Sequence, residues 1–381
     1  MSRTTTRLAV GVLAVALPLA AVAGCGAEKK RTIKAEFASA QSNLEASKAA
    51  SFTLRFDDSK GTVAKLAKKD DTPAELVDAL IGGSVTYVVD PAGDKTLKDL
   101  KVSGSTTAAD LSAQLKTVNA GFVVRDDKSD LGEFRLIDGV LYAHVDMKAI
   151  GRLAKAGGTE DFDAQLDDFV DSAPDKFRAG LQDVRAGKWI KLPLTDYIEK
   201  FQDLAKSFTG IEPAPTKGSV DTTKLGRDLF AAVKPHITVT DANNDSKDRV
   251  LDVKVKARPA LKAALAVLQA SKDLPFAAML KEVTPAEIDK NVTDGTATGT
   301  ITMKSGHLSQ FTVDVESIRL LSTDPGTDSV AGSRLVVDVD DSADQLKVPS
   351  DVSSFDVGAL IDEFLQGMPG AQSQAGFSYS G

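Results

Sequence analysis

Apolar positions along the chain recur with two different periods, and the switch between them marks out the elements. Between residues 32 and 50, Ile33, Phe37, Ala40, Leu44 and Ala50 fall near one face of a helix. Residues 51–56 (SFTLRF) change to period two, with Phe52, Leu54 and Phe56 on one side. Residues 62–81 return to helical spacing and contain a start signal: Thr72, then Pro73 at the first turn, then Glu75 three positions after the threonine. Strands are expected next at 84–89 (SVTYVV), 97–103, 121–125, 132–137 and 140–145. Pro91-Ala92-Gly93-Asp94 joins the first two, and Asp138-Gly139 is a two-residue hairpin turn between the last two.

The middle of the chain is helical. Residues 147–156, 161–170 and 176–185 have helix spacing and charged faces, 188–192 (KWIKL) stops at Pro193, and 195–208 is amphipathic. Residues 209–221 (TGIEPAPTKGSVD) are the best linker candidate, because Pro and Gly interrupt both periods. A helix at 222–233 leads to strands at 236–240 and 249–256 and a helix at 259–271. A long hairpin is then expected over 298–304 and 307–318, turning at Ser305-Gly306. A strand at 334–340, a helix at 356–365 and a Gly/Ser/Gln tail at 367–381, expected to lack a fold, complete the chain.

Several strands are dry on one side and wet on the other. Phe311, Val313 and Val315 alternate with Thr312, Asp314 and Glu316, and Leu251, Val253 and Val255 with Asp252, Lys254 and Lys256. Ile237 and Val239 oppose Thr238 and Thr240 in the same way. That is the signature of antiparallel sheet covered on one face only. With amphipathic helices available as the cover, the expected fold is α+β: a large curved antiparallel β-sheet with helices packed on its concave face.

The first 24 residues fall outside this pattern. Arg3 and Arg7 precede an apolar stretch at 8–19 (LAVGVLAVALPL), and small residues then lead to Cys25. This three-part layout is that of a secretory signal, and the stretch is shorter than the roughly 20 apolar residues of a membrane span. The segment Leu19-Ala20-Ala21-Val22-Ala23-Gly24-Cys25 resembles a bacterial lipobox, whose cysteine thiol is alkylated with diacylglycerol before cleavage. Cys25 is the only cysteine in 381 residues, so an internal disulfide does not account for it. The expected organisation is a signal peptide at 1–24, a tether at 25–31, one domain at 32–366 with a possible subdivision at 209–221, and the tail. Acyl chains contribute about 0.8 kcal/mol per buried methylene, so such an anchor would hold the protein at the extracytoplasmic side of the cell membrane.

Loss of the leader removes two arginines and leaves 44 basic against 54 acidic side chains, a formal −10. That argues against a nucleic-acid partner, which requires cationic side chains against phosphate, and against broad adhesion to anionic headgroups. Hydrophobic content of 42% suffices for a core, and only 6% of residues are aromatic, so the interior relies on Val, Leu and Ala.

Catalytic and metal motifs are not found. His144, His236 and His307 lie far apart, without H-x-x-x-H or H-E-x-x-H spacing. Neither G-x-S-x-G nor S-x-x-K occurs in a strand–turn–helix context, so no enzyme activity and no cofactor are expected. Asp241, Asn243, Asp245 and Asp252 have the spacing of a calcium loop, but Ser246 stands where the sharp turn wants Gly and the flanks read as strands. A polar hairpin tip fits better.

Taken together, the lipobox and four segments carry a family resemblance. These are Asp138-Gly139-Val140-Leu141-Tyr142, Lys188-Trp189-Ile190-Lys191-Leu192-Pro193, Lys304-Ser305-Gly306-His307-Leu308, and Val348-Pro349 before the last helix. Over most of 32–366 the chain resembles the LolA-like superfamily, in particular the actinobacterial lipoproteins of LppX and LprG type, and is longer than the compact members at 62–81 and 147–185. The resemblance implies a half-barrel with helices inside the curve and an apolar cavity between them for acyl chains of a lipid or lipoprotein. Its lining would come from Phe52, Leu54, Tyr87, Phe134, Leu136, Tyr142, Leu251, Val253, Val255, Phe311, Val313 and Val315. The same alternation also suits a filled core. The two functional expectations are therefore a carrier of a lipid or other hydrophobic ligand, and a ligand-free platform or sensor for an envelope protein partner.

Overall fold

The computed structural model describes residues 33–69, 71–100, 108–198, 222–242, 248–271, 280, 283–325 and 328–354. Cys25 with the leader and tether, the linker candidate 209–221, the expected helix at 356–365 and the tail all lie outside the described residues.

In chain order the elements are α1 (Ile33–Ala46), β1 (Ala50–Asp57), α2 (Thr62–Lys69), α3 (Ala74–Gly82), β2 (Ser84–Pro91), a 3-10 turn at Leu97–Asp99, α4 (Ala108–Leu115) and β3 (Val118–Arg125). There follow β4 (Asp130–Ile137), β5 (Val140–Val145), α5 (Met147–Ala156), α6 (Phe162–Ser172), α7 (Asp175–Arg185) and β6 (Trp189–Leu192). The remainder comprises α8 (Thr222–Val233), a 3-10 turn at Lys234–His236, β7 (Ile237–Asp241), β8 (Asp248–Lys256), α9 (Ala257–Ala270), α10 (Pro285–Asn291), β9 (Thr296–Lys304), β10 (His307–Asp314), α11 (Val315–Arg319), β11 (Arg334–Asp340) and β12 (Val352–Ser354). The fold is α+β, with a large, open, mostly antiparallel sheet of twelve strands. Among the described residues no helix is long and apolar enough to cross a membrane.

The chain divides into two compact units. Unit 1 draws its described residues from within Met1–Gly104, Val124–Ser129 and Gly218–Gln345; unit 2 draws them from Ser105–Val123, Asp130–Lys217 and Leu346–Gly381. In unit 1 the strands run in the order β2-β1-β11-β10-β9-β8-β7, all antiparallel. In unit 2 the order is β12-β6-β5-β4-β3, and β12 pairs with β6 in parallel.

The local chemistry explains most boundaries. Asp138 and Gly139 have φ of 52° and 78°, and Ser305 and Gly306 have φ of 52° and 83°. Two successive positive values make the tight turn that matches strand twist, and glycine adopts the second without steric cost. The helical pattern expected over 62–81 is two helices, because Asp71 takes φ 53°, and Pro73, expected in the first turn behind a Thr72 cap, stands instead at the N-cap position of α3 with no side-chain cap. Asp58 accepts from the N–H groups of Thr62 and Ala64 at the start of α2, and the Ser333 hydroxyl donates to the same carboxylate.

Two expected strands are corrected. Residues 97–99 of the strand expected at 97–103 form the 3-10 turn instead, and 101–103 lie outside the described residues. The Asp99 carboxylate accepts from the backbone N–H of Thr96 at 2.9 Å and from its hydroxyl at 3.0 Å, and such local capping competes with a ladder. The strand expected over 307–318 ends at Asp314. Its carboxylate accepts from the N–H groups of Glu316 and Ser317 and so caps α11. Val315 is therefore the first residue of a helix and has no place in the strand alternation. Helices α4 and α10 and strand β12 were outside the expectations. The capping box between Thr284 and Glu287, with Pro285 behind it, is the sequence signal for α10.

Candidate ligand-binding face

The register of unit 1 sorts its strands into one apolar and one polar face. Directly paired residues point the same way, so one row reads Val85, Leu54, Val337, Phe311, Ile301, Leu251 across the sheet. A second row on the same face reads Tyr87, Phe52, Val339, and a third reads Phe56, Leu335, Val313, Gly299, Val253, Val239. The opposite face carries hydrogen-bonding side chains around the buried Val336, which pairs with Arg55 and Thr312. Thr53 and Thr86 share a hydrogen bond of 2.9 Å, Thr300 and Thr312 one of 2.6 Å, and Asp338 accepts from Arg55 and Gln310, each at 2.7 Å.

Helices cover the apolar face unevenly. Phe37 and Ala40 of α1 are buried against Leu251, Val253, Ile301, Met303, Leu308, Phe311 and Val339, with Leu44 and Phe230 packed around them. Beyond this cluster, Val233 of α8 packs with Ala260 and Ala264 of α9, joined by Ile237 and Val255. At β8, β9 and β10 the face is thus a filled core; Leu251 has no exposed surface at all. Cover thins toward β1 and β2. Phe52, Leu54, Phe56 and Val85 are half-buried, and Tyr87 is 43% exposed. Burial alone pushes the Tyr87 phenol above its ordinary pKa, because the anion is poorly hydrated there.

The expected lining residues therefore separate. Leu251, Val253 and Phe311 belong to the packed core, with Val255 partly buried at its margin. Phe52, Leu54, Val313 and Tyr87 line the portion of the same face that keeps access to solvent. Val315 has left the face for α11.

Unit 2 corrects the expectation that Phe134, Leu136 and Tyr142 line one surface. Phe134 pairs with Ala143 and Leu136 with Leu141, whereas Tyr142 pairs with Arg135 and Lys191. Adjacent positions on a strand point to opposite faces, so Tyr142 lies on the other side of this sheet from the two β4 residues. Phe134 keeps company with Phe122 at a ring separation of 6.4 Å. On the Tyr142 side, the Arg135 guanidinium lies 4.8 Å from the Trp189 ring centroid, within cation–π range. It also donates to Glu133 at 2.6 Å and to the Lys347 carbonyl at 2.8 Å.

His144 packs on Trp189 at 5.4 Å, His307 pairs with Asp341 at 2.6 Å, and His236 ends the turn before β7. Asp241 of the calcium-like loop pairs with Arg249 at 3.1 Å, and residues 243–247 lie outside the described residues. No protein-family model matches the chain, and no curated protein sequence matches it significantly.

Proposed function

We propose that this chain is an exported lipoprotein, anchored at the extracytoplasmic side of the cell membrane through Cys25, which binds or carries a lipid or other hydrophobic ligand against the apolar face of unit 1. The observation that carries the reading is the gradient of cover within one continuous apolar face, from Leu251, fully buried, to Tyr87, 43% exposed. Apolar surface left open on a sheet is unfavourable in water, and an acyl chain laid along Phe52 and Leu54 would remove it. The lipobox-like segment supports a position outside the cytoplasm, where a lipid in transit would need shielding. The LolA-like reading, with a curved half-barrel and helices on the concave side, belongs to this proposal.

The rival reading, a platform for an envelope protein partner, draws on Phe169 of α6 in unit 2, which is 60% exposed. Mass spectrometry of an organic extract of the purified chain discriminates the two. Acyl lipid in near-stoichiometric amount supports carriage; an extract matching the buffer blank, together with a captured protein partner lost on Phe169→Ser, supports the platform.

A further inference from the structure

Without β12, β6 would be the last strand of unit 2 and would present a row of unpaired N–H and C=O groups. The chain's own segment 346–354 fills that edge. Val352 pairs with Trp189, Ser353 with Ile190 and Ser354 with Lys191, all in parallel. Three parallel ladder pairs hold little alone, and side chains of unit 2 add to them. Arg135 donates to the Lys347 carbonyl at 2.8 Å while its guanidinium lies over the Trp189 ring. Asp183 of α7 accepts from Lys188 at 2.8 Å and from the Ser353 hydroxyl, and both donors hold its carboxyl below the ordinary range. The segment is thus recognised at a backbone carbonyl by Arg135, at a hydroxyl by Asp183 and along a short ladder by β6.

We propose that the β6 edge of unit 2 is a strand-addition site, and that segment 346–354 of a second copy of this chain takes it in exchange for the resident one. The seated segment argues for that occupant, since an identical segment from another copy makes every one of its contacts. The connection argues for exchange. Between β11 and β12, residues 341–351 form no helix or strand, so β12 can leave without unravelling another element. Pro349 stiffens this connection, and Asp351 holds φ 54°, a conformation that a residue with a Cβ adopts at a cost. Strain in a short hinge favours exchange between copies. The proposal is independent of the ligand-binding reading, which concerns unit 1.

The test uses the full-length chain carrying Cys25→Ser and a fluorescein-labelled peptide with the sequence of residues 345–354 (QLKVPSDVSS). Ser353→Pro in the chain removes the hydroxyl and a backbone N–H, so the resident strand is weakened and the peptide is not. Fluorescence anisotropy is expected to show the peptide binding Ser353→Pro about tenfold or more tightly than the parent, whose own strand competes at high effective concentration. Adding Arg135→Ala is expected to abolish that gain. Trp189, the only tryptophan in the chain, reports the edge: its emission is expected to shift to the red in Ser353→Pro and to return with peptide. Should Ser353→Pro lose the far-ultraviolet spectrum of the parent, Ser353→Ala serves instead, with an expected gain of about threefold for one hydrogen bond. Peptide bound equally by parent and variant, or by neither, overturns the strand-addition site. Refolding the parent from urea at rising protein concentration is expected to leave a growing dimer fraction by light scattering; monomer throughout overturns the second copy as occupant.

Discussion

The guanidinium of Arg249 on β8 donates through Nε to Oε2 of Glu36 on α1, 2.6 Å away, and pairs through Nη1 with Asp241 on β7 at 3.1 Å. All three side chains are largely buried. One cation thus fastens the covering helix to the end of the apolar row that begins at Leu251. Removing it leaves two carboxylates facing each other with little water. Arg249→Ala is expected to lower stability by about 1–3 kcal/mol. Urea denaturation checks this, with Arg249→Lys recovering only part of the loss because it lacks the fork geometry.

Phe37 is the largest apolar group that α1 inserts into the core cluster. Phe37→Ala leaves a cavity over Phe311 and Ile301 and is expected to cost about 3–5 kcal/mol. Thermal melting followed by circular dichroism reads the effect, and Tyr87→Phe, on the thinly covered part of the same face, serves as the neutral comparison.

Glu316 gives a pH dependence of known sign. Hydrogen bonds from Arg319, with a further one from the Val330 N–H at 2.7 Å, hold its carboxyl at about 2, below the ordinary value of 4.5. A carboxyl with a lowered folded pKa contributes stability that is complete above about pH 4.5 and is lost as pH falls toward about 2. Glu316→Gln is therefore expected to destabilise at pH 7 and to converge on the parent protein between pH 4.5 and 2. A difference independent of pH across that window would exclude the mechanism.

Gly299 interrupts the third apolar row of unit 1 for a backbone reason. A Cβ there would lie 2.2 Å from the Thr312 carbonyl oxygen, and backbone cannot yield as a flexible side chain does. Gly299→Ala is expected to cost more than about 1 kcal/mol despite its better intrinsic propensity, measured by urea midpoint at unchanged m-value.

Much of the sheet was legible because its signals are local. The Asp138-Gly139 and Ser305-Gly306 turns and the alternations in β8, β10 and β11 each need only neighbouring residues, and the structure has them. The end of β10 was hidden because Val315 continues the apolar alternation, while the Asp314 carboxylate that stops the strand acts through Glu316 and Ser317. The faces of the β4–β5 hairpin were readable: a two-residue turn at 138–139 pairs 137 with 140, 136 with 141 and 135 with 142, so Tyr142 had to fall beside Arg135. The pairing of β12 with β6 was not readable, because it joins residues over 160 positions apart through three residues of ladder. Nor does periodicity distinguish Leu251, sealed under α1, from Tyr87, left open; that difference depends on where a helix lies.

Native mass spectrometry of the purified chain beside its Leu54→Trp variant, both carrying Cys25→Ser so that no covalent lipid adds mass, tests the central claim most directly. Leu54 lies in the row between Val85 and Val337, and an indole there fills space that an acyl chain would occupy. The account predicts a lipid-sized mass on the parent protein that is lost or sharply reduced in Leu54→Trp while the melting temperature holds. A parent protein of bare polypeptide mass, or equal lipid on both, would contradict it.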